Sequence, residues 1–235
     1  MKPARCGGLG CPEDRHLPAQ RGDGVYVKEL WRYPVKSAAG EQISEAVIGG
    51  LGIEGDRLVV VHRGGRLVTS RTHPKLLRLK GTLDSQKMPR LNGFAWNSDE
   101  ARKLIQEAAG ATAEPAYFEG PERFDVLPLL VATDGAIAHL GIDGRRLRPN
   151  IIIGGVEGLA ERSWPGLKLQ IGKVVIQAAQ LRGRCVMTTW DPDTQVQDPN
   201  VLKRIARELD GTMALDCEVI SGSKVRVGDE VTLVS

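Results

Sequence analysis

From Val25 onward, apolar and polar residues alternate in short runs separated by Gly and Pro, the period-two pattern of strands that bury one face. "VYVKELWRYPVKS" predicts a strand broken at Pro34. "RLVVVHRGGRLVTS" predicts two strands joined at Gly64-Gly65, a dipeptide free to take the positive φ angles of a tight hairpin. "LLRLKGTL" and "LKLQIGKVVIQAAQ" continue the pattern, the second turning at Gly172-Lys173. A last pair, "ALDCEVI" and "KVRVGDEVTLV", carries a turn or bulge at Gly228-Asp229.

Helical spacing is confined to a few stretches. In 97–110, Asn97 can cap, Glu100 can answer it, and Ala101, Leu104, Ile105 and Ala108 share a face that ends at Gly110. In 198–211, Asp198 caps, Pro199 takes the first position, and Leu202, Ile205, Ala206 and Leu209 form the stripe before Gly211. A shorter helix is expected from Thr133 in "TDGAIAHLG". Many short strands under a few covering helices predict a mainly β, α+β fold of barrels or strongly curled sheets rather than repeated βαβ units. Residues 1–24 lack hydrophobic periodicity and read as a disordered leader. The Pro/Glu/Gly-containing stretch 111–125 divides the remainder into expected domains at 25–120 and 121–235.

Composition narrows the function classes. A chain of 235 residues that is 41% hydrophobic has ample material for a core. No apolar run approaches the ~18 residues of a membrane span, and the first residues hold no signal-peptide core, so a soluble, cytoplasmic protein without a membrane partner is expected. The net charge of +3 is small and its basic residues are scattered, which argues against nucleic acid as a partner.

Four cysteines remain to be explained, and a reducing compartment predicts no disulfide among them. Cys6 and Cys11 have neither zinc nor redox spacing, and Cys217 sits in a strand. Cys185, in "QLRGRCVMTTWDPDTQ", is flanked by Arg182 and Arg184, whose positive field favours the thiolate that binds thiophilic metals or attacks electrophiles. The same residue type also fits a small buried hydrophobe at a strand end. His16, His62, His73 and His139 offer no local partner, and no second ligand stands at zinc spacing. Other candidates are individually weak. Arg148 and Asn150 in "RRLRPN" would project to one side of an extended chain, Lys36 and Ser37 follow a Pro turn, and Asp56 can orient Arg57 in "GIEGDR".

Taken together, "YPVKS…GLGIEGDRLVVV…LVTSRTHPKL…LRPNIIIGG…LRGRCVMTTWDPDT…VRVGDEV" resembles the MOSC family with its smaller N-terminal β-barrel companion domain, over residues 25 to 234, and looks most like the branch that includes the mitochondrial amidoxime reducing component. The resemblance implies a molybdenum–molybdopterin cofactor, with Cys185 as metal ligand and catalytic residue. It implies that Lys36, Ser37, Arg57, Arg148, Asn150, Gly183 and Arg184 hold the cofactor. A phosphate and a pterin edge do want such Lys, Arg, hydroxyl and amide partners, and thiolate suits a metal already bonded to sulfur. The implied activity is reduction of small N-hydroxylated compounds such as amidoximes and hydroxylamines. Neither a pyridoxal-phosphate domain nor an iron–sulfur module is expected, so electrons would come from a separate ferredoxin, cytochrome or flavoprotein reductase. Sulfur transfer and non-catalytic cofactor carriage are the competing readings. One departure stands out: relatives can carry a hydroxyl pair before the Pro of "FDVLPLLVA", where this chain has Val126 and Leu127.

Overall fold

Strand Glu45–Gly49 buries every second residue, as the alternation requires, and strand Leu129–Thr133 shows what happens when both faces are covered. Leu129 and Val131 point into one core with Leu30, Ile151, Ile153, Leu169 and Leu215. Leu130 and Ala132 point into another, beneath two helices. The computed structural model describes residues 24–234; the leader expected over 1–24, with Cys6, Cys11 and His16, lies outside the described residues apart from Gly24.

Eight strands form the main sheet, in the order Thr232–Val234, Lys168–Ile171, Val174–Gly183, Thr212–Ser221, Leu129–Thr133, Ile151–Gly154, Tyr26–Arg32 and Glu41–Ile43. Its neighbours are antiparallel except Leu129–Thr133 and Ile151–Gly154. That parallel pair needs a crossover, which the helix Asp134–Leu140 supplies in the expected "TDGAIAHLG" segment, capped by Thr133 Oγ1. Among the described residues three further sheets have three strands each, and none of the four closes on itself. The mainly β, α+β expectation holds, with the barrel character expressed as open sheets.

Strands from the two sequence halves are interleaved. Tyr26–Arg32 pairs with Ile151–Gly154, and Ser223–Arg226 pairs with Glu45–Gly49. The partner of "KVRV" thus lies far upstream and not in "ALDCEVI", the strand beside it in the sequence. The hairpin at Gly64-Gly65 forms as expected, both glycines having positive φ. "LLRLKGTL" does not form one strand: Pro74–Arg78 is a 3-10 turn that buries Leu76, and the strand begins at Gly81.

The helices also refine the expectation. In Asp99–Ala109 the cap is Ser98, whose Oγ accepts from Ala101 N–H, because burying Ala101, Ile105 and Ala109 sets the register one residue later than an Asn97 cap. In Pro199–Leu209, Asp198 caps as expected. The buried stripe, however, is Val201, Ile205 and Leu209; Leu202 is half-buried and Ala206 exposed. No helix among the described residues is long and apolar enough to cross a membrane.

A buried carboxyl ties these layers. Glu161 accepts from Thr133 Oγ1 at 2.6 Å and from the N–H of Ala214 at 3.0 Å, holding Ala214 at a left-handed φ of 68°. Burial raises its pKa above the ordinary 4.5, with these hydrogen bonds opposing. The native state therefore binds this proton more tightly than the unfolded chain, so stability falls as pH climbs from 4.5 through the raised value. Glu161→Gln keeps the shape and an acceptor for Ala214. It is expected to cost no more than about 1 kcal/mol at acid pH and to flatten that decline, as urea unfolding across the window will read.

Candidate functional site

The long strand Val174–Gly183 shifts register against Thr212–Ser221 at three places, and such bulges bend a strand. Its end delivers Gly183, Arg184 and Cys185 to a cleft, where a 3-10 turn, Val186–Thr189, begins at once. The N-terminal half contributes Lys36, Ser37 and Arg57 to the same cleft, and Arg148 arrives from the end of the turn Gly144–Leu147. Seven of the eight residues singled out from sequence thus line one open space, with about 680 Å³ empty.

Backbone strain gathers here. Ser37, Arg57 and Arg148 all hold left-handed φ angles, 72°, 53° and 57°, without being glycine. Such conformations persist where surrounding structure over-determines them, and they cluster at functional sites. Ser37 is held because its Oγ accepts from Ser70 N–H at 3.1 Å, and Arg57 because Asp56 Oδ2 accepts from its Nη1. Arg148 lies 4.4 Å over the Tyr33 ring.

Asn150 is the eighth residue, and it does not reach the cleft. The left-handed turn at Arg148 breaks the extended geometry that would have set the two side by side. Fully buried, Asn150 instead donates to Asp56 Oδ2 at 3.1 Å and to Trp31 O, while its Oδ1 accepts from Leu130 N–H and from Arg57. Asn150 therefore braces Asp56 and Arg57 from behind.

Residues beyond the expected set complete the lining. Arg182, Arg71, Asp125, Thr69, Ser70 and Met187 are there too, giving six cationic side chains against one carboxylate. Arg182 flanked Cys185 in the sequence and could have been found. Arg71 and Asp125 gave no local sign. The carboxylate of Asp125 bonds Lys36 Nζ at 2.8 Å and Arg71 at 3.1 Å, with Arg182 at 3.8 Å. Burial pushes its pKa up, but the Lys36 bond and the charges of Lys36, Arg71 and Arg182 outweigh that and hold it below the usual range. Asp125 is thus ionised at neutral pH. Val126 and Leu127 stay outside the lining.

The two arginines beside Cys185 are unlike. Arg182 is paired with buried Asp216 at 2.8 Å. Among the described residues Arg184 has no carboxylate partner; its Nη2 donates to Leu147 O, and its buried Nε has no partner there. Burial and repulsion from Arg182 lower its pKa to about 10, so it stays charged at neutral pH. An excess of cations, one of them with an orphaned donor, is a site awaiting an anion rich in acceptors. Cys185 is half-buried, Cys217 lies in the core, and none of His62, His73 or His139 lines the cleft. Among the described residues no three His, Cys, Asp or Glu side chains converge as a metal-ligand set. A metal at Cys185 would need its remaining ligands from a cofactor.

Comparison with known proteins agrees in kind. Residues 24–113 match the MOSC N-terminal beta barrel domain, and residues 132–232 match the MOSC domain. The chain is 27% identical to the human mitochondrial amidoxime-reducing component 1, covering 72% of this chain and 67% of that protein. It is 26% identical to human mitochondrial amidoxime reducing component 2, covering 73% and 68%. A solved Bacillus subtilis structure, the YUAD protein, aligns with a TM-score of 0.50 at 13% identity over 90% of this chain and 96% of that one, a likeness of fold alone.

Proposed function

The chain belongs to the MOSC family, carrying both of its domains in order, and from that premise we propose that its molybdenum-cofactor-associated function is the reduction of N-hydroxylated compounds. The observation that carries this reading is the cleft itself: six cations and one carboxylate around a half-buried cysteine, open to solvent and assembled from both halves of the chain. The residues present fit molybdopterin. Lys36, Arg57, Arg148 and Arg184 are the charge partners of an anionic cofactor, Ser37 adds a hydroxyl, and the orphaned Nε of Arg184 is a free donor. Gly183 leaves room for close approach, since a Cβ there would meet nothing. Cys185 would supply the chain's sulfur ligand to the metal.

Bound there, a molybdenum cofactor would supply two-electron oxygen-atom exchange. The chain's own groups set the conditions. Lys36, clamped between Arg123 O and Asp125, presents a fixed positive charge, and ionised Asp125 ties Lys36 and Arg71 together at the wall of the cleft. In the net reaction an amidoxime N–O bond breaks, two electrons and two protons are taken up, and an amidine and water leave. A separate ferredoxin, cytochrome or flavoprotein reductase delivers the electrons.

The test is turnover of benzamidoxime by the molybdenum-loaded protein with reduced methyl viologen as donor. We expect benzamidine to accumulate in proportion to bound molybdenum. A fully loaded protein with no turnover would make it a cofactor carrier instead.

A further inference from the structure

A cation that is to bind an anion must be held in place without having its donors used up, and five of the six in the cleft are held by polar atoms. Lys36 and Arg71 bond Asp125, Arg57 bonds Asp56, Arg182 bonds Asp216, and Arg184 donates to Leu147 O. Arg148 is held differently. Among the described residues no hydrogen bond or ion pair engages its guanidinium, whose Cζ lies 4.4 Å from the centroid of the Tyr33 ring. An aromatic face attracts a cation through its quadrupole and takes none of its N–H donors. Arg148 therefore keeps its whole fork of donors for whatever enters the cleft.

The ring is itself fixed on every side that can be read. Tyr33 is 3% exposed, its N–H donates to Asp56 Oδ1 at 2.7 Å, and its carbonyl accepts from Arg57 N–H at 2.8 Å. Gly40 closes against it: a Cβ there would fall 2.5 Å from Tyr33 Cδ1, so only glycine leaves the ring its place. The hydroxyl is buried and has no partner among the described residues, so the face and not the hydroxyl holds Arg148. Arg57, whose charge repels that of Arg148, lies 5.6 Å from the same ring. One side chain thus sets a cation of the N-terminal half against a cation of the C-terminal half. Without it, a long and flexible side chain would be pushed toward water, and the cleft would have to order it again on binding.

We propose that Tyr33 is a positioning residue for the cofactor site: its ring face holds the Arg148 guanidinium in the cleft with the donors free, ready for the anionic cofactor. The proposal rests on the reading of the cleft as a molybdopterin site and is indifferent to the reaction that follows.

The experiment uses full-length wild type, Tyr33→Phe, Tyr33→Met, Arg148→Ala and the Arg148→Ala/Tyr33→Met pair. Inorganic pyrophosphate is titrated calorimetrically into each protein without metal, and molybdenum retained by the loaded proteins through gel filtration in high salt is measured beside it. Tyr33→Met should weaken pyrophosphate about five- to tenfold, while Tyr33→Phe, which keeps the face, should stay within about twofold of wild type. In the Arg148→Ala background Tyr33→Met should cost nothing further, because it acts through Arg148. Molybdenum retention should follow the same order. Equal affinity and retention in wild type and Tyr33→Met, or a full additional loss in the Arg148→Ala background, would overturn the proposal. Should urea unfolding show that Tyr33→Met does not fold, proton NMR of wild type decides. The Arg148 methylene protons should be shifted upfield by the ring and remain so at saturating pyrophosphate, and their return to ordinary positions on binding would show that Arg148 leaves Tyr33 and would sink the assignment. If wild type takes up pyrophosphate in the expected order yet never retains molybdenum, the cofactor reading fails while the role of Tyr33 stands.

Discussion

Purified Cys185→Ala protein is expected to hold no molybdenum under conditions where wild type loads close to stoichiometrically. The reason is the poverty of alternatives: no other ligand set converges among the described residues, so one sulfur is the chain's contribution to the metal. The substitution should leave the fold alone. Cys185 is half-buried, and its structural bonds run through its carbonyl, which accepts from Thr188 N–H and Oγ1 and so survive the change. Stability is then expected within about 1 kcal/mol of wild type, and metal analysis beside a urea titration separates lost chemistry from lost structure. Equal molybdenum in both proteins would mean that the cationic lining alone retains the cofactor, and the ligand assignment would be wrong.

What could be read from sequence was what depends on near neighbours. Gly64-Gly65 announces its hairpin, Asp198-Pro199 its helix start, and the flanking of Cys185 its interest, because each signal is contained within a few residues. Burial stripes shifted wherever a distant surface chose the register. Val201, Ile205 and Leu209 were favoured over Leu202 and Ala206 by the core they share with Leu130 and Met213. The site followed the same rule. Arg148 and Asn150 looked like one clamp only on the assumption of an extended chain, and a single left-handed residue put Arg148 in the cleft and Asn150 in the interior against Asp56. Asp125 and Arg71 were illegible because the cluster they form with Lys36 and Arg182 exists only after strands far apart in sequence are packed.

That brace behind the cleft yields the largest expected loss of stability. Asp56 is fully buried; its Oδ1 accepts from Tyr33 N–H at 2.7 Å, and its Oδ2 accepts from Asn150 at 3.1 Å and from Arg57. Asp56→Ala removes a shared acceptor from three donors at once, one of them a guanidinium, and leaves Tyr33 N–H with none. Removing one member of a buried charged pair costs about 3–5 kcal/mol, most of it the penalty on the partner left behind. Asp56→Asn, which keeps an acceptor for Tyr33 but loses the charge facing Arg57, should fall between, at roughly 1–3 kcal/mol. If the cost is truly the stranded guanidinium, Asp56→Ala combined with Arg57→Ala should lose less than the sum of the single changes, and urea unfolding of the four proteins reads that coupling directly. Additive losses would show that Asp56 serves the Tyr33 and Asn150 side alone. In that event Arg57 keeps its left-handed place without its carboxylate, and molybdenum loading of Asp56→Asn should match wild type; with coupling present, loading should fall along with the brace.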